Sequence, residues 1–302
     1  MIKPMRIFLS LVLIFLSGFN ANCKKSAPAI AKEEPQVTDS SLKPIAVNPL
    51  DAKVAETSGL IYFDNSFWTI NDSGNENILY RIDAKTGSIS AEIEIKNAKN
   101  VDWEELTQDQ DYIYIADIGD NSLKRDEKQI YRVSKPDLKS VGGNGEIECD
   151  IIRFTYPAVD GKLVNYDAEA LITYKGELHL FTKDLFDTNH FTIPVQPGNS
   201  VAKYVEKYKT DGMVTGAALD ALDNTLILVG YMGFGDRLLW ELKPSDEKHF
   251  FNLPVKAFTM GPVTVTGQVE AVCFTAERKL YFSNESFGSV KQQLWTLPYP
   301  VK

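Results

Sequence analysis

Five copies of one short pattern limit what this chain can fold into. They are Glu56-Thr-Ser58-Gly-Leu60, Asp102-Trp-Glu104-Glu-Leu106, Asp167-Ala-Glu169-Ala-Leu171, Thr215-Gly-Ala217-Ala-Leu219 and Gln268-Val-Glu270-Ala-Val272. Their last residues, Leu60, Leu106, Leu171, Leu219 and Val272, stand 46, 65, 48 and 53 positions apart. Four-stranded propeller units repeat every ~40–50 residues, so these gaps fit blades with loops of different length.

Each pattern is followed by a turn and a β-rich run: Phe67-Trp-Thr-Ile, Tyr112-Ile-Tyr-Ile, Leu178-His-Leu-Phe, Leu226-Ile-Leu-Val and Leu280-Tyr-Phe-Ser. Third strands recur as Leu79-Tyr-Arg-Ile, Ile130-Tyr-Arg-Val, His190-Phe-Thr-Ile, Leu239-Trp-Glu-Leu and Leu294-Trp-Thr-Leu. Looser fourth strands follow in four units (Ala91-Glu-Ile-Glu-Ile, Ile151-Ile-Arg-Phe, Lys203-Tyr-Val-Glu and Val255-Lys-Ala-Phe), while the fifth has none. Pro44-Ile-Ala-Val, ahead of the first pattern, is the expected substitute, because a strand borrowed from the other end of the chain closes the ring and covers its open edges. The prediction is an all-β, five-bladed β-propeller of four-stranded antiparallel blades over residues 43–302. No helix is expected, and the segment from Leu138 to Gly145 reads as a mobile loop.

The first residues read differently. Lys3 and Arg6 precede an apolar, charge-free stretch from Ile7 to Phe19, too short to cross ~30 Å of hydrocarbon but suited to a signal peptide over residues 1–22. Cys23 follows at once and is the expected lipidation site, in a relaxed lipobox with Asn22 and Asn20 before it. Residues 23–42, rich in Ala, Pro, Glu, Lys and Ser, read as a lipidated cysteine and flexible tether. The expected location is the bacterial cell envelope, periplasm or outer membrane, with membrane contact through the lipid alone. Cys149 and Cys273 fall on different blades, and no disulfide is expected between them.

Net charge is -9 with a pI near 5.0, which disfavours phosphate backbones and excludes nucleic acid as a natural partner. In a meander the repeat pattern opens each inner strand, so Glu56, Asp102, Glu104, Asp167, Glu169 and Glu270 are expected at one mouth of the central channel. Ends of the second strands add Asp72, Asp117, Lys183, Tyr231 and Glu285 as a ligand rim. Asp102 with Glu104, and Asp167 with Glu169, are two apart and predicted to share a strand face. Crowded carboxylates call for a cation, and an all-oxygen donor set describes Ca2+ better than zinc. His179, His190 and His249 share no spacing. In the fourth repeat Thr215 and Ala217 are read as replacing the acids, and Trp103 as packing beneath the rim.

Taken together, Glu56-Thr-Ser-Gly-Leu60, Trp68-Thr-Ile-Asn-Asp72-Ser-Gly, Val101-Asp-Trp-Glu-Glu-Leu106 and Asp167-Ala-Glu-Ala-Leu171 resemble the SdiA-regulated propellers, distant relatives of NHL-repeat proteins. The resemblance runs from about Glu56 to Leu297. It implies a five-bladed propeller with bound calcium and no established enzymatic activity, and it names no ligand set.

Two functions remain open on the sequence alone. One is a monomeric, non-enzymatic recognition module for a small molecule, glycan or protein. The other is a calcium-assisted hydrolase of phosphoesters, lactones or glycosides using rim carboxylates. Ser58 and Ser73 lie outside any Gly-x-Ser-x-Gly nucleophile elbow.

Overall fold

A computed structural model of the chain describes residues 36–158, 160–161, 164–233 and 235–299. The expected signal peptide, residues 1–22, and the expected lipidation site, Cys23, lie outside the described residues. The fold is a five-bladed β-propeller. Its inner strands are Thr57–Phe63, Trp103–Gln108, Ala168–Tyr174, Met213–Asp220 and Gln268–Phe274. Each pairs with a second strand, and each second strand with a third, in antiparallel register. The ring closes as expected: Ile45–Pro49 pairs antiparallel with Gln293–Leu297 and completes blade 5.

Inner strands are buried on both faces because each is squeezed between neighbouring blades. Five apolar clusters fill the five blade-to-blade contacts. Trp68 and Ile61 meet Leu106 and Ile113 between blades 1 and 2, and Leu60 and Phe67 meet Ala271 and Leu294 where blade 5 returns to blade 1. The remaining three clusters join blades 2 to 3, 3 to 4 and 4 to 5. Tight turns carry the hairpins: Asp64 and Asn65 both take positive φ (53° and 57°), as do Lys175 and Gly176 (50° and 79°), matching the right-handed strand twist.

Three features depart from the sequence reading. Blades 1, 2 and 4 carry a fifth, parallel outer strand: Gly145–Ile147, Gly198–Val201 and Gln36–Ser41. The last of these lies within the segment expected to be a tether. The segment expected as a loop after Ser134 holds a seven-residue helix, Lys135–Val141, with the Ser134 side chain accepting the Asp137 amide and Leu138 buried. One buried apolar residue per two turns is too short a signal for periodicity to reveal. His179 and His190 meet inside blade 3 at 2.8 Å between ring nitrogens, with His190 also 3.4 Å from Glu206. Cys149 and Cys273 are both free thiols.

Candidate metal centre at the channel mouth

The repeat pattern exists because each inner strand carries a β-bulge at the same level. In blades 2 to 5 the extra, unpaired residue is Glu104, Glu169, Thr215 and Glu270. In blade 1 it is Gly59, whose φ of +63° puts it in the left-handed region. A bulge leaves one residue out of the ladder and re-aims its side chain. Three glutamates are thereby presented together at the mouth. The fourth repeat is offset by two from the sequence reading: Thr215, and not Ala217, stands where Glu104 stands in blade 2. Its hydroxyl donates to the Val269 carbonyl at 2.6 Å and ties blade 4 to blade 5.

Two carboxylate triads form, Asp72–Asp102–Glu104 and Glu104–Asp167–Glu169, with one oxygen from each member lying within 4.8 Å of the others. Glu104 belongs to both. It is only 5% exposed, and the charges of Glu169, Asp72 and Asp102 crowd its carboxylate. Gly119 makes room for this arrangement, since a Cβ there would collide with the carboxylates of Glu104 and Asp102. Asp72 is set by Asn100, whose side-chain amide donates to the Asp72 carbonyl at 2.8 Å and the Asn71 carbonyl at 2.9 Å. Asp167 accepts the Asp120 amide at 2.7 Å.

On the far side of the mouth the balance is different. Lys183 forms an ion pair with Glu169 and lies close enough to Glu270 and Tyr231 to feel both. Burial opposes its charge, but the surrounding carboxylates outweigh burial and hold the ammonium charged above its ordinary range. That cation serves Glu169 and Glu270. Asp72, Glu104 and Asp167 feel the same charge and Asp102 feels Arg125, but among the described residues none of these four acids has a cation within ion-pair distance.

Burial pushes every one of these acids up. Asp102 rises to about 6, through desolvation first and the Asp72 charge second. Glu104 and Glu169 stand well above the usual carboxylate range, again from burial and then from neighbouring charges. Burial lifts Glu270 and Glu285 to about 8, helped by the Glu285 charge on Glu270 and by the Asp72 charge on Glu285. Asp72 and Asp167 move the same way by burial.

The remaining rim candidates do other things. Glu56 is exposed and accepts the Asn75 amide at 2.5 Å, outside both triads. Asp117 is committed elsewhere: Arg125 pairs with it at 2.6 Å, and it accepts the Asp102 amide at 3.1 Å and the Tyr131 hydroxyl at 3.3 Å. Tyr231 is buried beneath the Arg237 guanidinium, 4.7 Å from its ring centre. Trp103 is fully buried beneath the rim and donates its indole N–H to the Lys99 carbonyl at 3.2 Å. None of the three histidines belongs to either triad, and His249 hydrogen-bonds Asp246. The donors gathered here are carboxylate oxygens, which suits a hard cation taking ~6–8 oxygen ligands.

No protein-family profile matches the sequence, and no curated protein matches it either. Solved structures share the propeller fold at low similarity. The PQQ-bound aldose sugar dehydrogenase of Streptomyces coelicolor is 16% identical, covering 87% of this chain and 99% of that one, at a TM-score of 0.49. A putative glucose dehydrogenase of Thermus thermophilus is 12% identical over 85% of this chain and 100% of its own, at 0.48. The apo soluble aldose sugar dehydrogenase of Escherichia coli is 10% identical over 85% and 99%, at 0.44. At this distance the likeness carries nothing about activity or ligand.

Proposed function

We propose that this chain is an exported, lipid-anchored propeller of the SdiA-regulated kind, acting as a monomer that holds a calcium ion at its channel mouth and recognises a ligand there without turning it over. The observation that carries this reading is the Glu104 carboxylate, buried, common to both triads and crowded by the charges of Glu169, Asp72 and Asp102. Buried like charges crowded together cost several kcal/mol unless they are protonated or neutralised, and a divalent ion at the triads that share Glu104 neutralises them. Bound calcium would supply fixed positive charge and open coordination positions for ligand oxygens.

Calorimetric titration of the chelator-stripped protein with calcium tests the metal. The wild type is expected to bind one ion, and an Asp72→Asn, Asp102→Asn double substitution to weaken it at least a hundredfold, about 2.7 kcal/mol. A wild type that fails to bind calcium while folded overturns the reading. The anchor has its own test. Cys23→Ser is expected to move the protein from the envelope membrane to the soluble fraction, and unchanged membrane association would refute lipidation.

One observation favours the hydrolase as a second reading. Glu270 and Glu285 keep a proton near neutral pH, which is what a general acid needs. Turnover of phosphoesters, lactones or glycosides by the calcium-loaded protein, lost in Glu270→Gln, would replace recognition by catalysis.

A further inference from the structure

Large apolar side chains exposed to water are unevenly spread over the disc. Of eleven such residues among those described, six are Val101, Leu123, Leu185, Phe186, Met232 and Val265. All six lie in connections on the carboxylate face, either between second and third strands or just before an inner strand. They form a collar over blades 2 to 5. Leu222 and Leu253 sit in connections on the opposite face, and the other three are on outer strands.

The Leu123 part of the collar is held in place by its loop. Leu123 is 54% exposed with φ of +54°, a conformation that leucine adopts at a cost. The Asp120 carboxylate enforces it by accepting the Lys124 amide at 2.9 Å, the Arg125 amide at 2.7 Å and the buried Lys128 ammonium at 2.7 Å. Arg125 then ties the same loop to the mouth through the Asp117 carboxylate and the Gly119 carbonyl. The next blade places Phe186, 58% exposed, immediately beyond Lys183 and Asp184. An acidic mouth is thus flanked on blades 2 to 5 by exposed apolar groups, with Leu123 held by its loop.

We propose that this face docks a segment of a partner protein that presents a lysine or arginine between apolar side chains, the basic group over the carboxylates and the apolar groups on Leu123, Phe186 and Met232. The inference rests on the recognition reading above and names the class of partner. Charge complementarity selects it: with calcium holding them ionised, the five triad carboxylates alone exceed the three positive charges of Lys183 and one divalent ion, so the mouth stays negative. An anionic bilayer would be repelled, and a glycan offers little to cover six apolar side chains.

Selection from a random dodecapeptide phage library against the full-length protein tests this. The expected winners carry Lys or Arg flanked by apolar residues. A synthetic winner should bind at least tenfold more weakly to a Leu123→Ser, Phe186→Ser double variant, and tenfold more weakly when its basic residue becomes Glu. The double variant should keep its calcium titration unchanged, which shows it folded. No enrichment, or equal binding to the double variant, overturns the proposal. So does collar-dependent sedimentation with phosphatidylserine vesicles in calcium, which would assign the collar to a membrane. Peptide selection as expected with no calcium binding would leave this inference standing and remove the metal.

Discussion

Calcium at about a hundred times its dissociation constant is expected to raise the unfolding midpoint of the chelator-stripped protein by about 5–10 °C at pH 8, and Glu104→Gln to remove most of that shift. The size follows from linkage. Binding only to the folded state at that excess contributes about 2.7 kcal/mol, and each kcal/mol moves the midpoint of a domain this size by about 2–4 °C. The pH dependence has a definite sign. Glu270 and Glu285 in the fold titrate near 8, Asp102 near 6, and Glu104 and Glu169 well above the usual range. Unfolded carboxyls titrate at about 4. Between about pH 4 and pH 8 the folded, metal-free protein therefore holds protons that the unfolded chain has released. Its stability falls as pH rises through that window. Calcium displaces those protons, so the midpoint shift should shrink by more than half at pH 5. The metal-free Glu104→Gln variant should be more stable than metal-free wild type at pH 8, since one buried carboxyl crowded by Glu169, Asp72 and Asp102 is gone. Thermal scans with and without calcium at both pH values decide it. A shift that is larger at pH 5, or that Glu104→Gln leaves intact, would move the ion away from these triads.

The blade count was legible in the sequence because the repeat is read in order and every second and third strand has its own apolar run. The closing strand Ile45–Pro49 was legible for a topological reason: blade 5 lacked a partner at one end and a spare strand stood at the other. The mouth was legible in outline, since Asp102, Glu104, Asp167 and Glu169 do converge, and Asp72 joins them from the end of a second strand. The mechanism of convergence was not. Alternation with a period of two was the premise, whereas a bulge breaks that period at Glu104, Glu169, Thr215 and Glu270. A bulge inserts a residue without changing composition or hydropathy, so the fourth repeat was aligned two residues late. Asp117 looked like a rim acid because nothing local in the sequence shows that Arg125 folds back onto it. Long-range partners are invisible in the same way. The His179–His190 contact joins two strands whose facing register no spacing rule provides.

Alanine at Glu105 is expected to cost about 3–6 kcal/mol of stability, the largest effect of any single substitution near the channel. Glu105 follows the bulge residue of blade 2 and has no exposure at all. Its Oε1 accepts the Leu106 amide at 2.8 Å, and its Oε2 accepts the Ala217 amide of blade 4, also at 2.8 Å. The Leu60 amide of blade 1 bonds it as well. Each inner strand turns an unpaired edge toward the channel, and this one side chain satisfies amides from three such edges. Burial pushes its carboxyl well above the usual range while those amides pull the other way. With the side chain gone, each stranded donor costs about 1–3 kcal/mol, and channel water offsets part of that, which sets the range. Glu105→Gln should cost about half as much, because its amide oxygen still accepts while its NH2 group faces a donor. Urea unfolding measures both. If alanine costs less than about 1 kcal/mol, water serves the three edges without help and Glu105 is no structural tie. The calcium titration of the same variants separates this role from the mouth: Glu105 lies outside both triads, so affinity should hold within about threefold wherever the variant remains folded.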